Sequence, residues 1–225
     1  MDKLQRNALP KDGFAGIREH RLIKDTRVFG PKANEDGSWS GIGNFVYLAN
    51  ARFIPNGETR MHSHREIDVI SVMVNGRINH QGSLSQGQHL NKNDIQVQRA
   101  GGEGFSHNEI NPDADWNRMI QIWVLPEQSG QSVAYKVYQP KFGNTVRIYG
   151  GNPKAENYFP AETKIDVSLL ETGQHIEINA SFIAYITNGS GTANHEIIKD
   201  GDLIRGNHLQ FEAIEKSQII VVYTS

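Results

Sequence analysis

From Asn44 onward the chain is written in short apolar runs separated by polar turns. Phe45 to Leu48 and Ala51 to Ile54 lead into Pro55-Asn56-Gly57, a turn signal. Ile67 to Val74 is a β-branched run closed by Asn75-Gly76, which predicts a hairpin with Arg77 to His80 as the return strand. Gln81-Gly82-Ser83 and Ser85-Gln86-Gly87 read as turns. Asp94 to Gln98 alternates apolar with polar, and Met119 to Leu125 reads as a buried strand stopped by Pro126. Val133 to Tyr138 reads as a short strand leaving the first unit. The text then resumes with Val146 to Tyr149, Ile165 to Leu169, Ile176 to Ile178, Phe182 to Ile186 and Ile219 to Thr224. Helical periodicity is weak, near Gln5 and from Gly151 to Tyr158, and residues 1 to 43 are a turn-rich arm around short strands. The pattern predicts an all-β chain.

A faint repeat runs through it. Gly57 precedes a strand ending in Val74-Asn75-Gly76, and Asn93-Asp94 opens a later one. Gly173 precedes a strand ending in Thr187-Asn188-Gly189, and Gly201-Asp202 opens a later one. Two related barrels account for this spacing. The break from Pro126 to Ser132 places the boundary near Gln139, giving an N-terminal domain over 1–138 and a C-terminal one over 139–225.

Composition narrows the chemistry. The 225 residues carry 23 Lys and Arg against 25 Asp and Glu, so there is no positive field for direct nucleic-acid or anionic-membrane binding. There is no cysteine, which excludes disulfides and thiol nucleophiles and leaves nitrogen and oxygen as metal ligands. Without an apolar signal region near the start or an apolar run long enough to span a bilayer, the expected location is cytoplasmic. No dinucleotide fingerprint, Gly-x-Ser-x-Gly, Walker A or His-Glu-x-x-His sequence is present.

The candidate chemistry lies between Arg60 and Glu109. His62/His64 and His107/Glu109 are two pairs of ligand-type residues at i, i+2, a spacing that puts both members on one face of a strand. Converging from two strands, the three imidazoles and one carboxylate form a mononuclear metal site with positions left for exogenous ligands. All-N/O ligation suits Fe(II), Mn, Ni, Co or Zn. Glu66 shares the parity of the pair and Arg65 has the opposite one; both read as surface or loop residues. Gln96 is placed either at the pocket or facing outward, and His80 and His89 read as solvated. His175, His195 and His208 have no His-x-His pairing, so the second half reads as metal-free.

Gly57, His62-x-His64, Asp68 and Gly76 resemble the first cupin motif. Asp94-Ile-Gln96, Ala100-Gly101, Gly104 and His107-x-Glu109 resemble the second as the pirin family writes it, followed by Ile122-Trp-Val-Leu-Pro-Glu127. The resemblance is good over roughly residues 28 to 140 and in outline beyond. It implies two consecutive cupin jelly-roll barrels, of which only the N-terminal one holds metal, through His62, His64, His107 and Glu109. It also implies iron(II) and cleavage of a flavonol such as quercetin by dioxygen, or a non-catalytic role as a metal-binding regulatory protein with a protein partner. Under the first reading Glu109 also takes the substrate's proton. Three departures stand out. Ser63 replaces the usual proline, and Ala100 to His107 is one residue longer than the common form. Asp68 occupies a place where many cupins put a ligand glutamate; it is read here as an acceptor for an imidazole N–H rather than as a ligand.

Overall fold

The computed structural model describes residues 1–84, 88–151 and 159–224; the turn expected at 85–87 and the helical stretch expected toward Tyr158 lie outside them. Among the described residues the only α-helix is the four-residue Thr26–Phe29, capped by the Asp25 side chain, and the rest of the regular structure is strand apart from the 3-10 turn Arg6–Ala8. The weak helical signal near Gln5 resolves as strand Asp2–Gln5, because it pairs residue for residue with Asp202–Gly206.

The chain divides into two compact units, one of residues 9–40 and 46–139, the other of residues 1–8, 41–45 and 140–225. The first unit has a six-stranded sheet, in the order Ala134–Tyr138, Ile95–Arg99, Asp68–Asn75, Arg118–Val124, Phe45–Phe53 and Ile17–Lys24. Its second sheet runs His62–His64, Phe105–Ile110, Ile78–Gly82 and Gln88–Leu90. A core of Phe53, Met73 and Met119 from the large sheet with Ile78 and Leu90 from the small one joins the two. Ala134–Tyr138 is thus an edge strand of this unit, paired with Ile95–Arg99, rather than a strand leaving it.

The second unit repeats the plan. Its six-stranded sheet runs Asp2–Gln5, Asp202–Gly206, Phe182–Asn188, Ser217–Tyr223, Ala161–Leu170 and Asn144–Gly151. Its four-stranded sheet runs His175–Ile178, Leu209–Ala213, Ser190–Ala193 and Glu196–Lys199. Phe182, Ile204 and Val221 pack against Leu209, Phe211 and Ile198 between the sheets.

Asn75-Gly76 does not close a hairpin. Asp68–Asn75 already has neighbours on both sides, Ile95–Arg99 and Arg118–Val124, so its next strand, Ile78–Gly82, passes to the other sheet. Asn188-Gly189 does the same between Phe182–Asn188 and Ser190–Ala193. An Asn-Gly step supplies positive φ, which a sheet-changing corner needs as much as a tight turn does.

Candidate metal centre

The three-residue strand His62–His64 is isolated by its neighbours. Arg60 and Glu66 both take left-handed backbone, with φ of 65° and 52°, costly for residues with a Cβ. Arg60 thereby aims its carbonyl at the His62 ring, whose Nδ1 lies 2.9 Å from it. Nδ1–H donating there leaves the Nε2 lone pair free. His62–His64 pairs with Phe105–Ile110 so that His62 faces His107 and His64 faces Phe105. Gly104 permits this approach: a Cβ there would come 2.8 Å from the His64 carbonyl oxygen. Thr59 holds the other end, its hydroxyl accepting from the Glu109 N–H at 2.9 Å.

His62, His64 and His107 consequently bring three ring nitrogens within 4.8 Å of one another. His107 Nε2 lies 3.0 Å from His62 Nε2 and 3.1 Å from His64 Nε2. Hydrogen bonding does not explain this cluster, since a single ring nitrogen cannot make two good N–H···N bonds in the same place. A cation does: nitrogens bound at right angles on one ion at about 2.1 Å lie about 3 Å apart. Burial, aided by the neighbouring imidazoles, lowers the pKa of His64 to about 4 and of His107 to about 2. Both rings are therefore neutral at pH 7, with lone pairs to offer. This is a histidine-rich site that could hold a metal.

Glu109 lines the same small cavity, of about 40 Å³, but lies outside the three-nitrogen cluster. Its Oε1 accepts from Ser71 Oγ at 2.8 Å and Gln96 Nε2 at 2.9 Å. Gln96 in turn accepts from the Tyr135 hydroxyl at 3.2 Å. Burial raises the Glu109 pKa to about 7, against the opposing pull of those two hydrogen bonds. Burial and then the Glu109 charge push Tyr135 up to about 12, so it remains a donor.

Sequence reasoning left Gln96 undecided and missed Ser71 and Tyr135. Asp68 is not on the His62–His64 strand: the chain breaks at Arg65 to Ile67 and enters the large sheet, so the shared parity has no meaning. The fully buried Asp68 carboxylate instead meets Arg99 at 3.1 Å. His80 is not solvated either. It is fully buried opposite Glu109, its ring 5.4 Å from that of His107 and its Nε2 3.1 Å from Gln98 Nε2. Its shared parity with buried Ile78 was the available signal. His89 is exposed and bonds Asn79 at 2.7 Å, and Glu66 accepts from the Gly130 N–H at 2.9 Å.

The second unit shows what stands at the corresponding positions. Ile176 faces Phe211 and Ile178 faces Leu209 across the equivalent strand pair, with Ala213 two residues beyond Phe211. These side chains belong to, or pack against, that unit's apolar core.

Comparison with known proteins agrees with this architecture. The family model described as Pirin matches residues 37–124. A Pseudomonas aeruginosa protein named as a putative quercetin 2,3-dioxygenase is 26% identical over 93% of this chain and 92% of its own. A pirin-like protein of Caulobacter vibrioides is 33% identical over 54% of this chain and 51% of its own. Among solved structures, the bacterial pirin YhhW of Escherichia coli in complex with nickel(II) superposes with a TM-score of 0.82 at 14% identity, covering 99% of this chain and 98% of that one. That likeness is one of fold, and the fold is two cupin domains. No helix among the described residues is long and apolar enough to cross a membrane. Residues 37–124 thus carry a Pirin family domain, in a chain whose relatives are named pirin-like or putative quercetin 2,3-dioxygenase and whose fold is that of the bacterial pirins.

Proposed function

We propose that this protein is a metal-dependent dioxygenase of the quercetinase type, opening a flavonol-like, enolisable aromatic with O2 at a single site of three histidines and one glutamate. The convergence of the His62, His64 and His107 Nε2 atoms carries this reading. A divalent transition metal, iron(II) by family resemblance, would supply Lewis acidity and an electron route to dioxygen. His62, His64 and His107 would hold it with neutral imidazoles. Glu109 would be the fourth ligand, and since Ser71 and Gln96 both bind Oε1, Oε2 is the oxygen that would be free to turn toward the imidazoles. The same carboxylate is the acceptor for the proton of the substrate's enolic hydroxyl: the O–H bond breaks and a carboxylic acid forms on Glu109. Tyr47 and Trp123, with rings 4.4 Å apart, wall the cavity and exclude bulk water.

The small cavity favours a second reading, a metal-binding regulatory protein with a protein partner and no substrate. Anaerobic purification with metal analysis, followed by oxygen uptake with quercetin, separates the two. Uptake with carbon monoxide release by the wild type but not by His62→Ala supports the dioxygenase. Iron-loaded protein that consumes no oxygen with any of a panel of flavonols supports the regulatory reading instead.

A further inference from the structure

The cavity before the imidazoles, at about 40 Å³, has room for little more than one or two water-sized groups. A drug-sized ligand fills roughly 300 Å³ or more. Most of the wall cannot retreat. Ile17, Tyr47, Ala51 and Met119 are all 5% exposed or less. Glu19 is gripped by Arg21 at 2.7 Å and by the Tyr47 hydroxyl at 3.2 Å. Phe14 also lines the cavity, yet it is 46% exposed.

The main chain under Phe14 is nevertheless fixed. Its carbonyl accepts from the Ile17 N–H at 2.9 Å, and Asp12 and Glu19 exchange two main-chain hydrogen bonds of 2.9 Å behind it. Gly16 donates to the Glu58 carbonyl and accepts from the Ile54 N–H, both at 3.0 Å. A Cβ on Gly16 would come 2.4 Å from the Glu58 nitrogen, so the turn is pressed against its support. What can move is the phenyl ring, through a rotamer change of the kind exposed side chains make in picoseconds to nanoseconds.

Beyond Gly13 lies an open groove of about 460 Å³ lined by Lys11, Asp12, Gly13, Arg18 and Trp116. Trp116 is 45% exposed and offers a flat aromatic face. Asp12 shares Arg21 with Glu19, at 3.1 and 2.7 Å, whereas Lys11 and Arg18 face no carboxylate among the described residues, so these charges together still leave an excess of one positive.

We propose that the Phe14 ring is the gate to the metal centre, and that turning it outward joins the cavity to the Trp116 groove. The proposal rests on the metal-centre reading above and specifies its ligand. The ligand is a planar aromatic whose enolic or vicinal oxygens reach the imidazoles. Its remaining rings lie against Trp116, and Lys11 and Arg18 favour anionic substituents on them. The Phe14 side chain sets the size limit.

The test uses Co(II)-loaded protein, whose visible spectrum reports a ligand arriving at the metal, with catechol, quercetin and a sulfonated quercetin as probes. Phe14→Ala is expected to shift the quercetin-to-catechol affinity ratio about tenfold toward quercetin, because the closed rotamer no longer has to be displaced. Phe14→Trp shifts it about tenfold the other way, and Trp116→Ala weakens quercetin but not catechol. Replacing Lys11 and Arg18 by Gln removes any preference for the sulfonated compound. Cobalt affinity stays the same in every variant. An affinity ratio indifferent to residue 14 in protein that takes up cobalt normally overturns the gate alone. Wild-type protein that takes up no cobalt overturns the metal-centre reading and the gate with it.

Discussion

Glu109→Gln is expected to stabilise the metal-free protein while weakening its hold on metal. Gln keeps the shape of Glu and retains an oxygen to accept from Ser71 and Gln96, so the hydrogen bonds at Oε1 survive. What it removes is a buried carboxyl whose pKa has been raised from 4.5 to about 7. A carboxyl with a raised pKa binds more protons in the folded state than in the unfolded one between those two values. Glu109 therefore costs the wild type stability as pH climbs through that window. By pH 8 the loss is about 3 kcal/mol, and at pH 5 it is only about 1 kcal/mol. The variant lacks this term. Urea unfolding of metal-free proteins at both pH values should show Glu109→Gln ahead of wild type at pH 8, with most of the advantage gone at pH 5. The histidines titrate in both proteins, so the difference isolates Glu109. Calorimetric titration with Ni(II) or Co(II) should show the variant at least tenfold weaker, the neutral amide being a poor ligand for a divalent ion. A variant less stable than wild type at pH 8, or equally altered at both pH values, would refute the claim that burial governs this carboxyl.

Other expectations follow from the same neighbours. Gln96→Leu removes one of the two donors on Glu109 Oε1 and should cost about 10-fold to 100-fold in metal affinity, read by competition with a chelating dye. Asp68→Asn breaks a buried ion pair and should cost about 3–5 kcal/mol in urea unfolding, with metal affinity unchanged because Asp68 lies outside the cluster. Metal-free Glu109→Gln protein, in which the opposing carboxyl is gone, should lose stability as pH falls below 6.5. The unfolded chain then takes up protons that burial keeps off His64 until about pH 4 and off His107 until about pH 2. Thermal midpoints measured from pH 7 to pH 5 test that sign.

The shared faces of His62 with His64 and of His107 with Glu109 were legible because i, i+2 on a strand is a statement about one strand only. Where an inference crossed a strand end, it failed. Asp68 has the parity of His62, but Glu66 at φ 52° ends that strand and the chain resumes in another sheet. Asn75-Gly76 correctly marked a reversal, and nothing local says whether the partner strand is the next one or lies across the barrel. Ile95–Arg99 shows the same limit in another form. Its Ile-Gln-Val-Gln alternation suggests a wet face, yet both faces are buried and Gln96 points its amide at Glu109. Polar alternation in a barrel strand marks a face of different chemistry, and only the tertiary fold says whether that face looks at water or at a site. Strands such as Ser190–Ala193 and Glu196–Lys199 are four residues long and contribute few core side chains, so their pattern is too short to read.

The two units also place a cost on the site. Where the second has Ile176, Ile178, Phe211 and Ala213 adding to its core, the first has His62, His64, His107 and Glu109. Each exchange forgoes apolar burial worth about 1.5–3 kcal/mol for a large side chain, and it crowds lone pairs and a reluctant carboxyl into one place. Local rules broken in one copy of a fold and kept in the other point to a ligand that offsets the loss. The offset can be measured. Free metal at about 100 times its dissociation constant adds about 2.7 kcal/mol to whatever must hold together for binding. Amide hydrogen exchange should therefore slow on metal addition in His62–His64 and Phe105–Ile110, and stay unchanged in His175–Ile178 and Leu209–Ala213. Equal slowing in both units would mean that the ion is not bound by those two strands alone. No slowing in either would mean that the histidines converge for some reason other than metal.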